Sequence, residues 1–229
     1  MAIDESLTLS FEENDMPIFR LYSWEPSFTL GISQKISDYE YLKKEYKNNY
    51  AKRITGGGVL FHGHDLSYSL ILPASYLHTL NVKESYEKIC TFLLDFYKSI
   101  GLNALYVKDD ENIKLSKSQF CQVGFEAYDI IVNGLKMGGN AQRRTKKFIF
   151  QHGSIPLKKI VQHNQNQSEI GNGLYDLGIK LSFHEVEQLV MKAFEKTFNI
   201  KFDISSLKEK EKEKLSLLLN HPIKNSLNE

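Results

Sequence analysis

The chain has 229 residues, 41% hydrophobic and 25% charged, with 29 basic side chains against 28 acidic ones. That length supports one sizeable globular body, and so even a charge balance argues against a nucleic-acid footprint, which shows as a basic excess or patch. No apolar run is long enough to span a bilayer, and the opening Met1-Ala-Ile-Asp-Glu-Ser lacks a basic stretch followed by an apolar one, so a cytoplasmic protein without a signal peptide is expected.

Strand patterns rich in β-branched and aromatic residues alternate with helical ones, which predicts a mixed α and β class. Pro17–Trp24 and Phe28–Leu30 read as strands. Ser37-Asp-Tyr-Glu40 has the spacing of a capping box, with Tyr39, Leu42 and Tyr46 following at helical intervals. Three short strands, Ala51–Thr55, Val59–His62 and Leu66–Leu72, surround Gly56-Gly57-Gly58, and Pro73 closes that run. Lys83–Ile100 predicts an amphipathic helix with the stripe Tyr86, Ile89, Leu93, Tyr97 and Ile100, stopped by Gly101. Cys90 lies on that stripe and is expected in the core.

Asn133-Gly134 between two apolar runs predicts a two-residue hairpin over Tyr128–Met137. Arg143–Lys147 is a basic cluster that fits either a solvated loop or a docking surface for an acidic partner. Phe148–Leu157 reads as a strand, and His163–Gly173 as a loop. Ser182-Phe-His-Glu185 is a second capping box, opening a helix with Val186, Leu189, Val190, Ala193 and Phe194 inward. The alternating Lys and Glu from Ser205 to Glu229 predict a surface helix with a frayed end. No internal repeat or second domain is visible.

Three features carry chemistry. Three successive glycines after Arg53 mean a tight turn, or else a bare backbone wall against a ligand. The run lacks the Gly-Lys-Ser/Thr of a phosphate-binding loop. Lys136, on the outgoing hairpin strand before Gly138-Gly139, is either an ordinary exposed lysine or an ammonium that stabilises developing negative charge on a carbonyl or phosphoryl oxygen. Cys121 is either a small buried hydrophobe or a nucleophile, which needs an electropositive setting that Lys136 could supply. The two cysteines make no disulfide framework and no Cys-x-x-Cys spacing. His62, His64 and His152 have no carboxylate spacing of a known ligand set, so no metal is expected, and no elbow motif anchors a serine triad.

Taken in order, these segments resemble the catalytic domain shared by lipoate–protein ligases, biotin–protein ligases and octanoyltransferases. The resemblance runs over roughly residues 1–200. Met1-Ala-Ile-Asp-Glu, Phe19-Arg-Leu-Tyr-Ser-Trp24 and Leu30-Gly-Ile-Ser-Gln34 are similar to its early segments. Arg53-x-Thr-Gly-Gly-Gly-x-x-x-His62 with Leu66-Ser-Tyr-Ser69 resembles its signature loop. Asn133-Gly-x-Lys136-x-x-Gly139-Asn-Ala-Gln142 and Gln151-His-Gly-Ser154 resemble its lysine strand and partner. The resemblance implies an α+β fold of mixed and antiparallel sheets flanked by helices. It implies a catalytic domain over 1–204, with 205–229 a polar helical tail. It further implies an acyl site lined by Arg53, Thr55, Gly56, Gly57, Gly58 and His62, with Gly139, Asn140, Ala141, Gln142, His152 and Gly153, and with Lys136 on the reacting carbonyl.

Within the group, the cysteine-type octanoyltransferases are most similar. Their nucleophile stands seven residues before the hairpin aromatic, as Cys121 stands before Tyr128, although Gly124-Phe-Glu126 replaces their usual Pro-Ser. The implied reaction moves an octanoyl or lipoyl group from acyl carrier protein, through a Cys121 thioester, to a lysine of a lipoyl-domain protein. That acceptor is glycine cleavage H protein or the acyltransferase subunit of a 2-oxoacid dehydrogenase. No cofactor is then required. The alternatives are an ATP- and magnesium-dependent lipoate ligase needing an accessory chain, because only a polar tail follows the shared core, and a binding subunit without turnover.

Overall fold

A computed structural model of the chain describes residues 1–116, 118–161 and 169–220. It opens with helix α1 (Ala2–Ser10), an element the motifs do not announce, although Ile3, Leu7 and Phe11 recur every four residues. There follow β1 (Ile18–Tyr22), β2 (Ser27–Leu30), α2 (Glu40–Glu45), β3 (Tyr50–Lys52), β4 (Leu60–His62) and β5 (Asp65–Pro73). Next come α3 (Val82–Ser99), β6 (Ala104–Tyr106), β7 (Ile130–Val132), β8 (Leu135–Gly138), β9 (Asn140–Arg144) and β10 (Phe148–Pro156), and then α4 (Phe183–Phe198) and α5 (Glu209–Asn220).

The main sheet runs β1-β5-β10-β9 and is antiparallel throughout. A second sheet, β3-β2-β4, contains one parallel pair, and a third, β6-β7-β8, is antiparallel. The class is therefore α+β with mixed and antiparallel sheets flanked by helices. Both faces of β5 are covered, which is why all nine of its residues are buried. Leu66, Tyr68 and Leu70 pack under Phe92, Leu93 and Phe96 of α3 and Val190 and Phe194 of α4. On the other face Ile71 and Phe150 meet Leu7 and Phe11, joined to α1. No helix among the described residues is long and apolar enough to cross a membrane.

Helix α4 starts where its capping box predicts, with Ser182 Oγ accepting from the Glu185 amide (3.3 Å) and Glu185 accepting from the Ser182 amide (2.8 Å). Helix α3 starts on a second box, Asn81 with Glu84. The Ser37–Glu40 box does not form. Residues Ile36–Tyr39 make a 3₁₀ turn, so Ser37 lies inside the turn rather than before it, and its hydroxyl donates to Asp38 (3.3 Å). Asn133 and Gly134 adopt positive φ (51° and 75°), the hairpin geometry that their pairing predicts.

The strand expected over Ala51–Thr55 stops at Lys52, because Arg53 turns inward after its amide bonds Leu30 (2.8 Å). The solvated-loop reading of the basic cluster fails for Arg143 and Arg144, which belong to β9. Arg144 is spent inside the protein, donating to Ser85 Oγ (2.8 Å) and to the Leu77 and Leu80 carbonyls. Helix α5 lies against α1, with Ser10 Oγ donating to the Lys210 carbonyl (3.3 Å) and Asp15 facing Lys208 and Lys210. Residues 163–168 of the expected loop, and 221–229 of the expected tail, lie outside the described residues.

Candidate active site

Residues Arg53–Gly58 cross from β3 to β4, and two of the glycines there have distinct physical reasons. Gly57 sits at φ +101°, in the left-handed region that a side chain resists. Gly58 allows close backbone approach, because a Cβ there would meet the Gln119 carbonyl at 2.4 Å. The approach is a parallel bridge between Val59 and Phe120. The Val59 amide donates to the Gln119 carbonyl and the Cys121 amide donates to the Val59 carbonyl, each at 2.8 Å. Cys121 is thereby laid along the glycine loop. A side chain placed on Gly57 would stand 3.5 Å from Cys121 Sγ and 3.1 Å from Arg53 Nη2, so thiol and guanidinium flank the same glycine.

Arg53 is 4% exposed, and its guanidinium is clamped from two sides. Nη1 donates to the Thr29 carbonyl (2.9 Å) and hydroxyl (2.7 Å), and Nη2 to the carbonyls of Gly58 (2.6 Å) and Gly56 (3.3 Å). Burial pulls its pKa down, and the neighbouring Cys121 counteracts this. Arginine nonetheless keeps its proton, so the cleft has a fixed cation next to sulfur.

Lys136 was expected to supply that cation, and the structure gives it another set of contacts. The third sheet turns Met137 into the main core, where the Met137 carbonyl accepts from Tyr97 (2.6 Å), so Lys136, one residue earlier, faces the opposite side. Its ammonium, 8% exposed, lies 2.5 Å from Asp129 Oδ2 and donates to the Gly124 carbonyl (2.6 Å). A buried ammonium requires such partners. Burial lifts the Asp129 carboxyl above its ordinary range, with Lys136 and the Glu126 amide opposing. The lysine thus ties together the segment that begins at Cys121, while Arg53 is the charge at the thiol.

These groups line one cleft, holding about 1040 Å³ of empty space with its open mouth included. Of the residues singled out in the sequence, Cys121, Lys136, Arg53, Gly56, Gly57, Gly58, His62, Gly139, Asn140, Ala141, His152 and Gly153 line it. Thr55 and Gln142 do not. Thr55 is a support behind the wall, its Oγ1 2.6 Å from His152 Nε2, and Gln142 Nε2 donates to Gln151 (2.9 Å). Burial, and then the charge of Arg53, hold His152 well below the ordinary imidazole range, so its ring is neutral. Cys90 is fully buried away from the cleft, 3.2 Å from Gln151 Nε2, with its thiol pushed up to about 12 by burial.

The sequence reading passes over Trp24, Gln122 and Asp129, all on the cleft. Asp129 carried a usable signal, a carboxylate opening the buried run Ile130-Ile131-Val132, since a charge beside a buried strand needs a nearby partner.

A thiol and a clamped guanidinium flank Gly57, a lysine–aspartate pair flanks Gly139, and all of them line one cleft. The chain belongs to the lipoyl protein ligase A/B catalytic domain family, whose model matches residues 1–195. Octanoyltransferase LipM of Bacillus cereus is 38% identical over 168 residues, covering 69% of this chain and 60% of that protein. Octanoyltransferase LipM of Halalkalibacterium halodurans is 30% identical over 241 residues, covering 92% and 86%. In the B. cereus and Bacillus anthracis matches the chain thus spans 60% of the relatives' length. Among solved structures, a Thermoplasma acidophilum protein with bound lipoic acid superposes with a TM-score of 0.75 at 22% identity, covering 96% of this chain and 87% of that one. A lipoate-protein ligase A bound with ATP gives 0.76 at 21% identity, with the same coverages. Both share the fold.

Proposed function

We propose that the chain is an octanoyltransferase that carries the acyl group on Cys121. The observation that supports this most is the half-buried Cys121 thiol opening into the cleft beside a fixed arginine, the electropositive setting a thiolate nucleophile needs. Relatives named octanoyltransferase support the acyl chemistry.

The donor in this reading is the octanoyl thioester of acyl carrier protein. Cys121 sulfur bonds the carbonyl carbon, the carbon–sulfur bond to the carrier breaks, and the carrier thiol leaves with the proton that Cys121 gave up. Arg53 stabilises the sulfur anion. Lys136, held by Asp129 and Gly124 through two of its three N–H bonds, presents the remaining one to the tetrahedral oxyanion. The ε-amine of an acceptor lysine then attacks the Cys121 thioester, an amide forms, and the amine's proton returns to the Cys121 sulfur. A thioester is already activated towards amines, so no ATP or magnesium enters. The acceptor is a lipoyl-domain protein, either glycine cleavage H protein or the acyltransferase subunit of a 2-oxoacid dehydrogenase. A Thermoplasma acidophilum lipoylation system pairs its bi-partite ligase with an E2 lipoyl domain, which supports that acceptor class.

The test is incubation with octanoyl carrier protein and intact-mass detection of an octanoyl adduct. The adduct is expected on Cys121, and Cys121→Ala is expected to abolish both adduct and transfer. Full transfer by Cys121→Ala rules the mechanism out, and lipoate-dependent pyrophosphate release by that variant puts ATP-driven ligation in its place.

A further inference from the structure

Four side chains run in series through the wall behind the glycine loop. Arg53 Nη1 donates to Thr29 Oγ1 (2.7 Å), Thr29 Oγ1 lies 2.9 Å from His62 Nε2, and His62 Nδ1 lies 3.1 Å from Asp65 Oδ2. All four are buried, Thr29 and Asp65 completely. Arg53 donates into the threonine oxygen, which has a second lone pair and one hydrogen left for the contact with His62 Nε2, while His62 Nδ1 faces the Asp65 carboxylate, so every contact in the series has a donor and an acceptor.

The far end of the series is itself anchored. Asp65 also accepts from Ser154 Oγ (2.7 Å) and Ser67 Oγ (3.1 Å), and the Trp24 ring stacks on His62 with centroids 4.6 Å apart. The near end is Arg53 beside Cys121. Thr29 is the link the rest depends on, because β2 presents both its carbonyl and its hydroxyl to the same Nη1.

We propose that Thr29 is a positioning residue that aims the Arg53 guanidinium at Cys121, so that the series Asp65–His62–Thr29–Arg53 sets the reactivity of the sulfur. This rests on the reading of Cys121 as the acyl carrier, but concerns what prepares the sulfur before any acyl donor arrives. The attraction between guanidinium and sulfur anion falls with separation, so a guanidinium held less firmly at Nη1, with its Nη2 side still bonded to the Gly56 and Gly58 carbonyls, loses part of it. Valine has nearly the shape of threonine and lacks the hydroxyl. Thr29→Val leaves Nη1 with one acceptor and strands His62 Nε2, whereas Thr29→Ser keeps both bonds.

The experiment measures alkylation of Cys121 by iodoacetamide in the intact chain at pH 7, by peptide mass spectrometry. Fully buried Cys90 serves as the internal control for unfolding. Thr29→Val is expected to slow Cys121 by about tenfold, the effect of losing one hydrogen bond to a charged group. Thr29→Ser is expected to restore the wild-type rate, and Thr29→Val is expected to add nothing in an Arg53→Met background. Wild-type alkylation in Thr29→Val, or equal slowing with and without Arg53, overturns the proposal. Should Thr29→Val fail to fold, His62→Phe keeps the stacking on Trp24 and cuts the series one link further out. Slowed alkylation there supports the proposal and an unchanged rate overturns it. Alkylation needs no acyl donor, so full transfer by Cys121→Ala would remove the octanoyltransfer reading while leaving this result standing.

Discussion

Lys136 and Asp129 face each other across 2.5 Å inside the cleft wall, at 8% and 7% side-chain exposure, so each is the other's compensation for leaving water. Removing either one alone strands a buried charge. Lys136→Met and Asp129→Asn are each expected to destabilise the fold by about 3–5 kcal/mol. The double variant should cost clearly less than the sum, because it leaves no unpaired charge. Urea unfolding of the four proteins in a double-mutant cycle checks this, and simple additivity would show that the pair is not coupled. What the chain discloses in advance at this scale is uneven. Arg53, Lys136 and Cys121 stand in recognisable spacings, so their presence on the cleft was legible. Their pairings were not. The partner of Lys136 is Asp129, just before β7, whose pairing with β8 shifts register between Ile130 and Ile131, and the partner of Arg53 is a threonine on a strand 24 residues away. Neither is written in local sequence.

At the level of elements, Gly58 is set by backbone crowding and Gly56 is not, since a Cβ at Gly56 would meet nothing within 4 Å. Gly58→Ala drives a methyl into the Gln119 carbonyl and must push the Gln119–Cys121 segment off the glycine loop. A stability loss of about 1–3 kcal/mol is expected, the usual scale of overpacking, together with slower alkylation of Cys121. Gly56→Ala should change stability by less than about 0.5 kcal/mol. Thermal or urea midpoints of the two variants decide the matter, and equal effects would mean that the bridge does not hold the thiol in place. The same contrast shows which elements local chemistry announces. The Asn133-Gly134 hairpin and the Ser182 cap follow from side chains within four residues of one another, and they form as expected. The Ser37 cap has equally good spacing and fails. Gln34, just upstream, bonds both the Gly31 amide (2.8 Å) and the Tyr39 hydroxyl (2.7 Å), and that clasp places the 3₁₀ turn over Ser37. The bridge from Val59 to Phe120 has no local signal, because it joins segments about sixty residues apart.

Across the whole molecule, the cleft is built from groups held in one protonation state by burial, and this couples stability to pH. His152 and His64 are both pulled below the ordinary imidazole range, chiefly by burial, whereas in the unfolded chain they titrate near pH 6.5. The unfolded state therefore binds more protons than the native state below that pH, and stability must fall as the solution is acidified. Each histidine contributes up to about 1.4 kcal/mol per pH unit. Their stabilising effect is complete above about pH 6.5 and is lost progressively below it. Asp65, held low by His62, His64 and Ser154 against the cost of its own burial, adds nothing to this window, since its contribution is lost only below about pH 4. Asp129, lifted by burial, acts in the opposite sense over a range that starts near pH 4. Urea midpoints between pH 7.5 and 5.5 should accordingly drop, and His152→Gln, which keeps a polar partner for Thr55 and cannot be protonated, should flatten the slope by about one proton. A midpoint that does not move over that interval, or a slope that His152→Gln leaves unchanged, would mean that the His152 imidazole is solvated and charged in the native protein, and that the wall of the cleft is wetter than its packing implies.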